Sequence, residues 1–331
     1  MLGRLYHLLV VLLWLASMTW LVVEKVLPPL LGGTPPDYDA VLAARDRAPD
    51  CWRIVWKEQT IGFAASRVIH PAGAEREMRS VVQFEKLPLD ELLAELLGVF
   101  AKFTAPLLGG RSDYRIDALL ATRLLFDGQR RLKEFRTRLD VGEVAGLLSI
   151  RGTVTSEQKL EVEARLGAGA SGSGPAGQVL RQKIDLPPQA LVDDAWTPRS
   201  QLGNLQIDQA WTVPVYRPFP PNSPISIIAA KVERHDVIVW DGKDVETLLI
   251  VYRTDAGSGI RAAREPVGQA WVRGDGTVLR QEVAFSGLRL RFERLPDKLL
   301  DRRAQLLDEK QNPRLWSDLG LLSPSLSRSH P

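Results

Sequence analysis

The feature that most constrains this chain is a two-residue rhythm of apolar and polar side chains that returns along much of its length. Trp52, Ile54 and Trp56 alternate with Arg53 and Val55, and residues 57–60 then turn the chain into an apolar run over 61–69. Successive side chains on a strand point to opposite faces, so this spacing predicts a hairpin with one buried face. The same reading predicts strands over 76–84, 114–126, 132–139, 148–154, 159–166 and 179–186. It continues over 225–234, 246–253, 269–273, 278–285 and 288–295. Asp127-Gly128, Asp241-Gly242 and Asp275-Gly276 stand between such runs and are strong hairpin signals. In the last run, Leu288, Leu290 and Phe292 alternate with Arg289, Arg291 and Glu293. One wet face argues for antiparallel rather than helix-covered parallel sheet.

The period changes once, over residues 90–104. Leu92, Leu93, Leu96, Leu97, Phe100 and Phe103 recur every three or four positions. That is an apolar helical stripe, with Asp90 as N-cap and Pro106 and Gly109-Gly110 as the stop. A curved sheet has a concave apolar face for such a helix to fill. These six residues are therefore the candidate ligand-binding set for an apolar molecule held between helix and sheet; plain core filling is the simpler reading. The expected fold is mainly β (α+β): a strongly curved antiparallel sheet or half-barrel with one or two packed helices, plus an N-terminal transmembrane helix.

That last element comes from Leu5 to Val23, which is almost wholly apolar behind Arg4 and has the length of a bilayer core. Trp20 falls near one end, where aromatic rings favour the headgroup zone. Arg4 before the run, against Glu24-Lys25 after it, favours an N-terminus inside and the bulk of the chain outside the cytoplasm. The alternative is a cleaved signal peptide, but no good small-x-small site follows the run. Cys51 lies too far along to be a lipid-bearing cysteine. The expected organisation is an anchor over 1–25, a Pro/Gly-rich stalk over 26–49, a β-rich extracytoplasmic domain over 50–296, and a helix and tail over 297–331. Within the domain, residues 167–177 (GAGASGSGPAG) read as a flexible loop. A short helix over 37–50 and a charged helix over 297–309 complete the reading.

Composition removes several function classes. A net charge of +3 is too balanced for a nucleic-acid partner. One cysteine allows no internal disulfide, and four histidines (His7, His70, His235, His330) make a histidine metal site unexpected. No metal and no cofactor is expected. Cys51 with His70 or His235 would make an acyl-transfer nucleophile if they met in space, yet nothing in their spacing requires it. His235-Asp236, Asp193-Asp194, Glu161 and Glu163 read as loop or solvated-strand groups. Arg273-Gly274-Asp275 reads as a tight turn. Arg130, Arg131, Lys133, Arg136 and Arg138 form a basic group that anionic lipid heads would meet, although Glu134 and Asp140 interrupt it and favour a solvated face. No phosphate loop, serine elbow, zincin helix or paired C-x-x-C occurs.

Three segments carry a resemblance: Trp52–Trp56 with Ile61-Gly62-Phe63; Leu205–Tyr216 with Pro218; and Ala270-Trp271-Val272, Gly274-Asp275-Gly276, Val278–Glu282. Together they resemble uncharacterised β-rich extracytoplasmic domains of bacteria, some standing alone and others preceding transglutaminase-like domains. Their style is similar to curved-sheet lipoprotein carriers of the envelope. The resemblance implies a bent antiparallel sheet with helices on its concave side. It carries over no catalytic residue, because the cysteine-histidine-aspartate motif of transglutaminases has no matching positions here. The expected function is thus a membrane-anchored binding or scaffold protein of the bacterial envelope, and not an enzyme, whose partner is an apolar ligand or an envelope protein. The alternatives are an envelope hydrolase or acyl transferase using Cys51 or His235, and an accessory to a separate transglutaminase-like or protease partner.

Overall fold

A two-residue hairpin turn of the type I′ kind, whose twist matches that of its strands, needs positive φ at both positions. Lys57 and Glu58 adopt 47° and 63°, and Asp241 and Gly242 adopt 50° and 75°. In the first turn two ordinary side chains accept this conformation while the Lys57 ammonium sits 4.3 Å from the Trp56 ring centroid. Glu58 accepts both Nη1 and Nη2 of Arg291 at 2.9 and 2.7 Å.

These turns belong to a computed structural model that describes residues 2–22, 35–36, 38, 42, 48–71, 75–88, 115–155, 157, 159–167, 178–187, 190–192, 197–217, 224–254, 265–285, 288–296, 305–308, 312–317 and 319. After a helix α1 (Leu2–Leu21) come β1 (Asp50–Trp56), β2 (Gln59–Ile69), β3 (Arg76–Pro88), β4 (Arg115–Phe126), β5 (Leu132–Val141), β6 (Val144–Val154), β7 (Lys159–Leu166) and β8 (Gln178–Asp185). The second half holds β9 (Leu191–Val192), β10 (Ala210–Tyr216), β11 (Ser226–Trp240), β12 (Lys243–Thr254), β13 (Gly268–Arg273), β14 (Val278–Phe285) and β15 (Leu288–Arg294). All belong to one 15-stranded sheet in the order β8-β7-β6-β5-β4-β3-β2-β1-β15-β14-β13-β12-β11-β10-β9. Each half is a meander, and the halves join where β1 pairs antiparallel with β15, from Trp52↔Arg294 to Val55↔Arg291. Among the described strands only the short β9–β10 pair is parallel.

The sheet rolls up, because residues from distant strands share cores. Trp52, Ile54, Val82, Phe84 and Leu120 from the first half pack with Trp211, Val232, Ile250, Val272, Leu290 and Phe292 from the second. A further core joins Leu124, Phe135, Leu148, Ile150, Leu160, Val162 and Ala164 of β4–β7 with Tyr216 of β10. Val213 and Val215, on the other side of β10, pack instead with Ile228, Leu191, Tyr252 and Val267. The β9–β10 end of the sheet is therefore tucked between two cores, like the inner edge of a scroll. That covers an edge which would otherwise offer unpaired backbone to other chains. In the second core Gly152 lies under the Phe135 ring, where a Cβ would come within 2.0 Å of the ring.

A row of small polar side chains crosses the inner face between the first two cores. Asp50, Ser66, Ser80, Thr122 and Thr137 are successive register partners on β1 to β5, and all are buried. Thr122 and Thr137 hydrogen-bond through their hydroxyls at 3.1 Å. Asp50 accepts a hydrogen bond from Nη2 of Arg294. The Arg294 guanidinium lies 5.7 Å from the Trp52 ring centroid and donates from Nη1 to the Ser200 carbonyl at 3.3 Å. A buried ion pair thus sits on the seam where the two meanders meet.

The outer face of β1–β4 is covered from the C-terminal side. Leu307 of a 3₁₀ turn (Gln305–Leu307), Leu315 and Trp316 of α2 (Pro313–Ser317), and Leu319 pack on Cys51, Ala65, Val81 and Ala121. Beside them Glu77, buried, accepts hydrogen bonds from Arg79 at 2.5 Å and Arg123 at 2.9 Å, with Arg79 5.2 Å from the Trp316 ring centroid. The expected charged helix over 297–309 is, in its described part, only the 3₁₀ turn; the apolar docking segment lies further on. The stripe Leu92, Leu93, Leu96, Leu97, Phe100 and Phe103 lies outside the described residues, as does most of the expected helix over 37–50. Among the described residues no helix is long and apolar enough to cross a membrane. In α1 the side chains described without a break run over Leu9–Val22, and all are exposed.

Candidate functional site

Thr197 to Leu202 positions the site. This segment bonds to the β13–β14 hairpin, through the Leu202 amide to the Gly276 carbonyl at 2.8 Å and the Val278 amide to the Ser200 carbonyl at 3.2 Å. Leu202 then plugs the first core. The anchoring leaves Arg199 at one end of the rolled sheet, its amide held by Oε1 of Gln281 at 3.1 Å. The Arg199 guanidinium lies 4.7 Å from the Tyr38 ring centroid, and the Tyr38 hydroxyl accepts a hydrogen bond from Nε1 of Trp211. Across from this segment, Arg217 directly follows β10.

Between them is a cavity of about 60 Å³. Val213, Val215, Ile228, Tyr252 and Val283 form its apolar wall, and Arg199, Arg217 and Gln281 line it with polar groups. Arg217 Nε is buried with no hydrogen-bond partner. Among the described residues neither Arg199 nor Arg217 faces a carboxylate in an ion pair. Glu282 also borders the cavity, but it alternates with the inward Gln281 and Val283, and its carboxylate lies 3.8 Å from Arg289.

A larger cleft of about 440 Å³ runs over the outer faces of β5–β7 beside Leu319 and is lined by Arg136, Arg138, Arg151 and Arg165. Each of its cations has a carboxylate partner: Arg136 and Arg151 share Glu134, Arg138 pairs with Asp140, and Arg165 shares Glu163 with Arg181. Lys133 pairs with Glu75 and Arg131 with Asp127. Arg131, Lys133, Arg136 and Arg138 of the basic group read in the sequence thus each have an acid partner, and Arg138 is buried rather than solvated. The smaller cavity, with its unmatched cations, is the better binding candidate.

The residues considered for catalysis are not brought together. Cys51 is fully buried on the outer face among Ala65, Val81 and Trp316. His70 follows the far end of β2, about 17 Å beyond Ala65 along the strand, and Ala65 is the register partner of Cys51. His235 lies exposed on β11, with β12, β13, β14 and β15 between it and β1 in the sheet. Asp236 faces the other way, accepting hydrogen bonds from Nε1 of Trp271 at 2.9 Å and the Val237 amide at 3.0 Å. Glu161 pairs with Lys183. Asp193-Asp194 lies outside the described residues. Arg273-Gly274-Asp275 is a turn: Asp275 accepts the Thr277 amide at 2.9 Å, and the Arg273 guanidinium hydrogen-bonded to it holds its carboxyl well below the usual range. Among the described residues no three His, Cys, Asp or Glu side chains converge on a metal position.

Arg199, Arg217 and Gln281 were not visible as a site in the sequence, although a signal existed. Most strand arginines here have an acid two residues away, on the same face: Glu77/Arg79, Glu134/Arg136, Arg138/Asp140, Glu163/Arg165 and Arg291/Glu293. Arg199 and Arg217 have none.

No protein family and no curated protein matches this chain. A solved structure that it resembles is a β-barrel-like protein of a domain of unknown function from Brucella abortus. It is 11% identical, with a TM-score of 0.42, and the likeness covers 75% of this chain and 94% of that one.

Proposed function

We propose that this chain is a membrane-tethered binding protein of the bacterial envelope, held at the inner membrane by its first helix with the rolled sheet outside the cytoplasm. The observation that carries the reading is the surface of α1. Leu9, Val10, Leu12, Leu13, Trp14, Leu15 and Trp20 are each at least 44% exposed, and they point to all sides of the helix. No α1 residue joins any of the described cores. A helix that is apolar all round needs an apolar medium. The reason to read it as an anchor lies in the sequence, where the run from Leu5 to Val23 is almost wholly apolar.

Binding rather than chemistry is the reading for the body. Its inner face is filled by Trp52, Phe84, Trp211 and Phe292, so the sheet itself is not a hollow lipid container. The cavity beside Arg199 and Arg217 is the place for a small ligand, and the outer surfaces are the place for a partner protein. Membrane fractionation of the full chain tests the tether. It should stay with the membrane through carbonate and urea washes, and replacing Leu12 and Leu15 by lysine should release it. Recovery of the unaltered chain in the wash would refute the anchor.

A further inference from the structure

We infer that the cavity at the end of the rolled sheet is a binding site for a short aliphatic carboxylate, its acid group held by Arg199 and Arg217 and its hydrocarbon laid on Val213, Val215, Ile228 and Val283. The inference deepens the binding reading above and rests on it for the body alone, not for the anchor.

The argument begins with charge. A guanidinium beside an apolar wall is costly to desolvate unless it gains an acceptor. Elsewhere this chain meets that requirement with carboxylates of its own, as at Arg294/Asp50 and Arg79/Glu77. Here two guanidiniums line one small cavity, Arg217 Nε is buried and unbonded, and among the described residues the acid that borders the cavity, Glu282, has its carboxylate 3.8 Å from Arg289. The planar fork of arginine matches the two oxygens of a carboxylate. Gln281 is also anchored, through its Oε1 to the Arg199 amide, so its side-chain NH₂ is the end left to donate.

Size and polarity then narrow the ligand. About 60 Å³, at about 10–15 Å³ per water position, holds roughly four to six waters. That is the bulk of a chain of about six carbons rather than of a diacyl lipid. The walls are valine, isoleucine and the Tyr252 ring, with the cations at one side. An ammonium would be repelled, and a neutral alcohol would leave the guanidiniums unmatched. A bare inorganic anion would leave the aliphatic wall uncovered.

The experiment is calorimetric titration of the full chain in nanodiscs, with empty nanodiscs as blank, using hexanoate, hexanol, hexylamine and inorganic phosphate. Hexanoate should bind at least about tenfold more tightly than each of the others, the difference of one charge-assisted hydrogen bond. Arg199→Gln and Arg217→Gln should each remove that preference while leaving the thermal midpoint within a few degrees. Val283→Phe, which fills the cavity and keeps both cations, should abolish hexanoate binding as well. Equal binding of hexanoate and hexanol, phosphate binding as tight as hexanoate, or no hexanoate binding would each overturn the assignment. If the anchor reading fails and the chain is soluble without lipid, the same titration runs in plain buffer, so the two failures are separable.

Discussion

Asp50→Ala tests how the two meanders are locked into one sheet. Asp50 and Arg294 face each other on the β1–β15 seam, with side-chain exposures of only 7% and 12%. Losing the carboxylate leaves Arg294 with the Ser200 carbonyl at 3.3 Å and the Trp52 ring, neither of which carries a counter-charge. Removing one partner of a buried ion pair costs roughly 3–5 kcal/mol. The carbonyl bond and the residual exposure of Arg294 place this case at the lower end, about 3 kcal/mol. For a body of this size each kcal/mol lowers Tm by about 2–4 °C, giving a fall of about 6–12 °C. The assay is urea unfolding followed by tryptophan fluorescence, with Asp50→Leu, Arg294→Met and Asp50→Leu/Arg294→Met measured beside Asp50→Ala. The double variant should recover most of the loss, since no charge is then stranded. A single-variant loss below about 1 kcal/mol, or losses that merely add in the double variant, would refute the reasoning.

Three further outcomes follow from burial. The Tyr216 hydroxyl is sealed without a hydrogen-bond partner, so Tyr216→Phe should be neutral or stabilising by up to about 1 kcal/mol; a loss above 2 kcal/mol would reveal a hidden acceptor. Burial also pushes the Tyr216 pKa up to about 12 from 10.0. Its folded form therefore favours the neutral phenol, a contribution fully present below about pH 10 and lost as pH rises toward 12; in denaturation curves taken across that window, the Phe variant should lack this part of the alkaline loss. Trp316 caps the outer face over Cys51, so the native thiol should react slowly with a disulfide reagent and Trp316→Ala should speed it at least about tenfold. Equal rates would show that the C-terminal segment does not seal this face.

Much of the sheet was legible because its physics is local. β7 and β14 run as the alternation predicted, over Lys159–Leu166 and Val278–Phe285, and the Asp-Gly pairs at 241–242 and 275–276 lie at the turns between paired strands. β11 and β12 run further than expected, to Trp240 and from Lys243. A register shift between Val232 and Arg234 breaks the rhythm there, so the pattern stops where the strand continues. β10 lies in a segment that carries the resemblance but shows no alternation that predicts a strand. Pro214 and the single exposed face position at Thr212 mask it, and only its tucked position between two cores explains why both of its sides are apolar. The pairing of β1 with β15 has no local signal at all. It joins residues at opposite ends of the body, and the polar row that marks it, Asp50 to Thr137, reads in sequence as five unrelated interruptions of an apolar face.

The site was hidden for a different reason. Apolar stripes point to Leu92–Phe103, which lies outside the described residues, and carry no information about charge. The informative pattern was an omission in the charges. An arginine whose neighbour two positions away is acidic carries its counter-ion on its own strand face; where that face is open to water, as at Glu163/Arg165, the pair is worth little, and where it is buried, as at Glu77/Arg79, it matches the charge in place. An arginine in a connecting segment without such a neighbour has to find its acceptor in space. When two of them, from Thr197–Leu202 and from the end of β10, line one aliphatic cavity and no carboxylate among the described residues pairs with either, the open acceptor position is what the site offers a ligand. It is the same physics that makes Asp50 indispensable to Arg294. At the seam the chain supplies the carboxylate itself; at the cavity it leaves the position for a ligand.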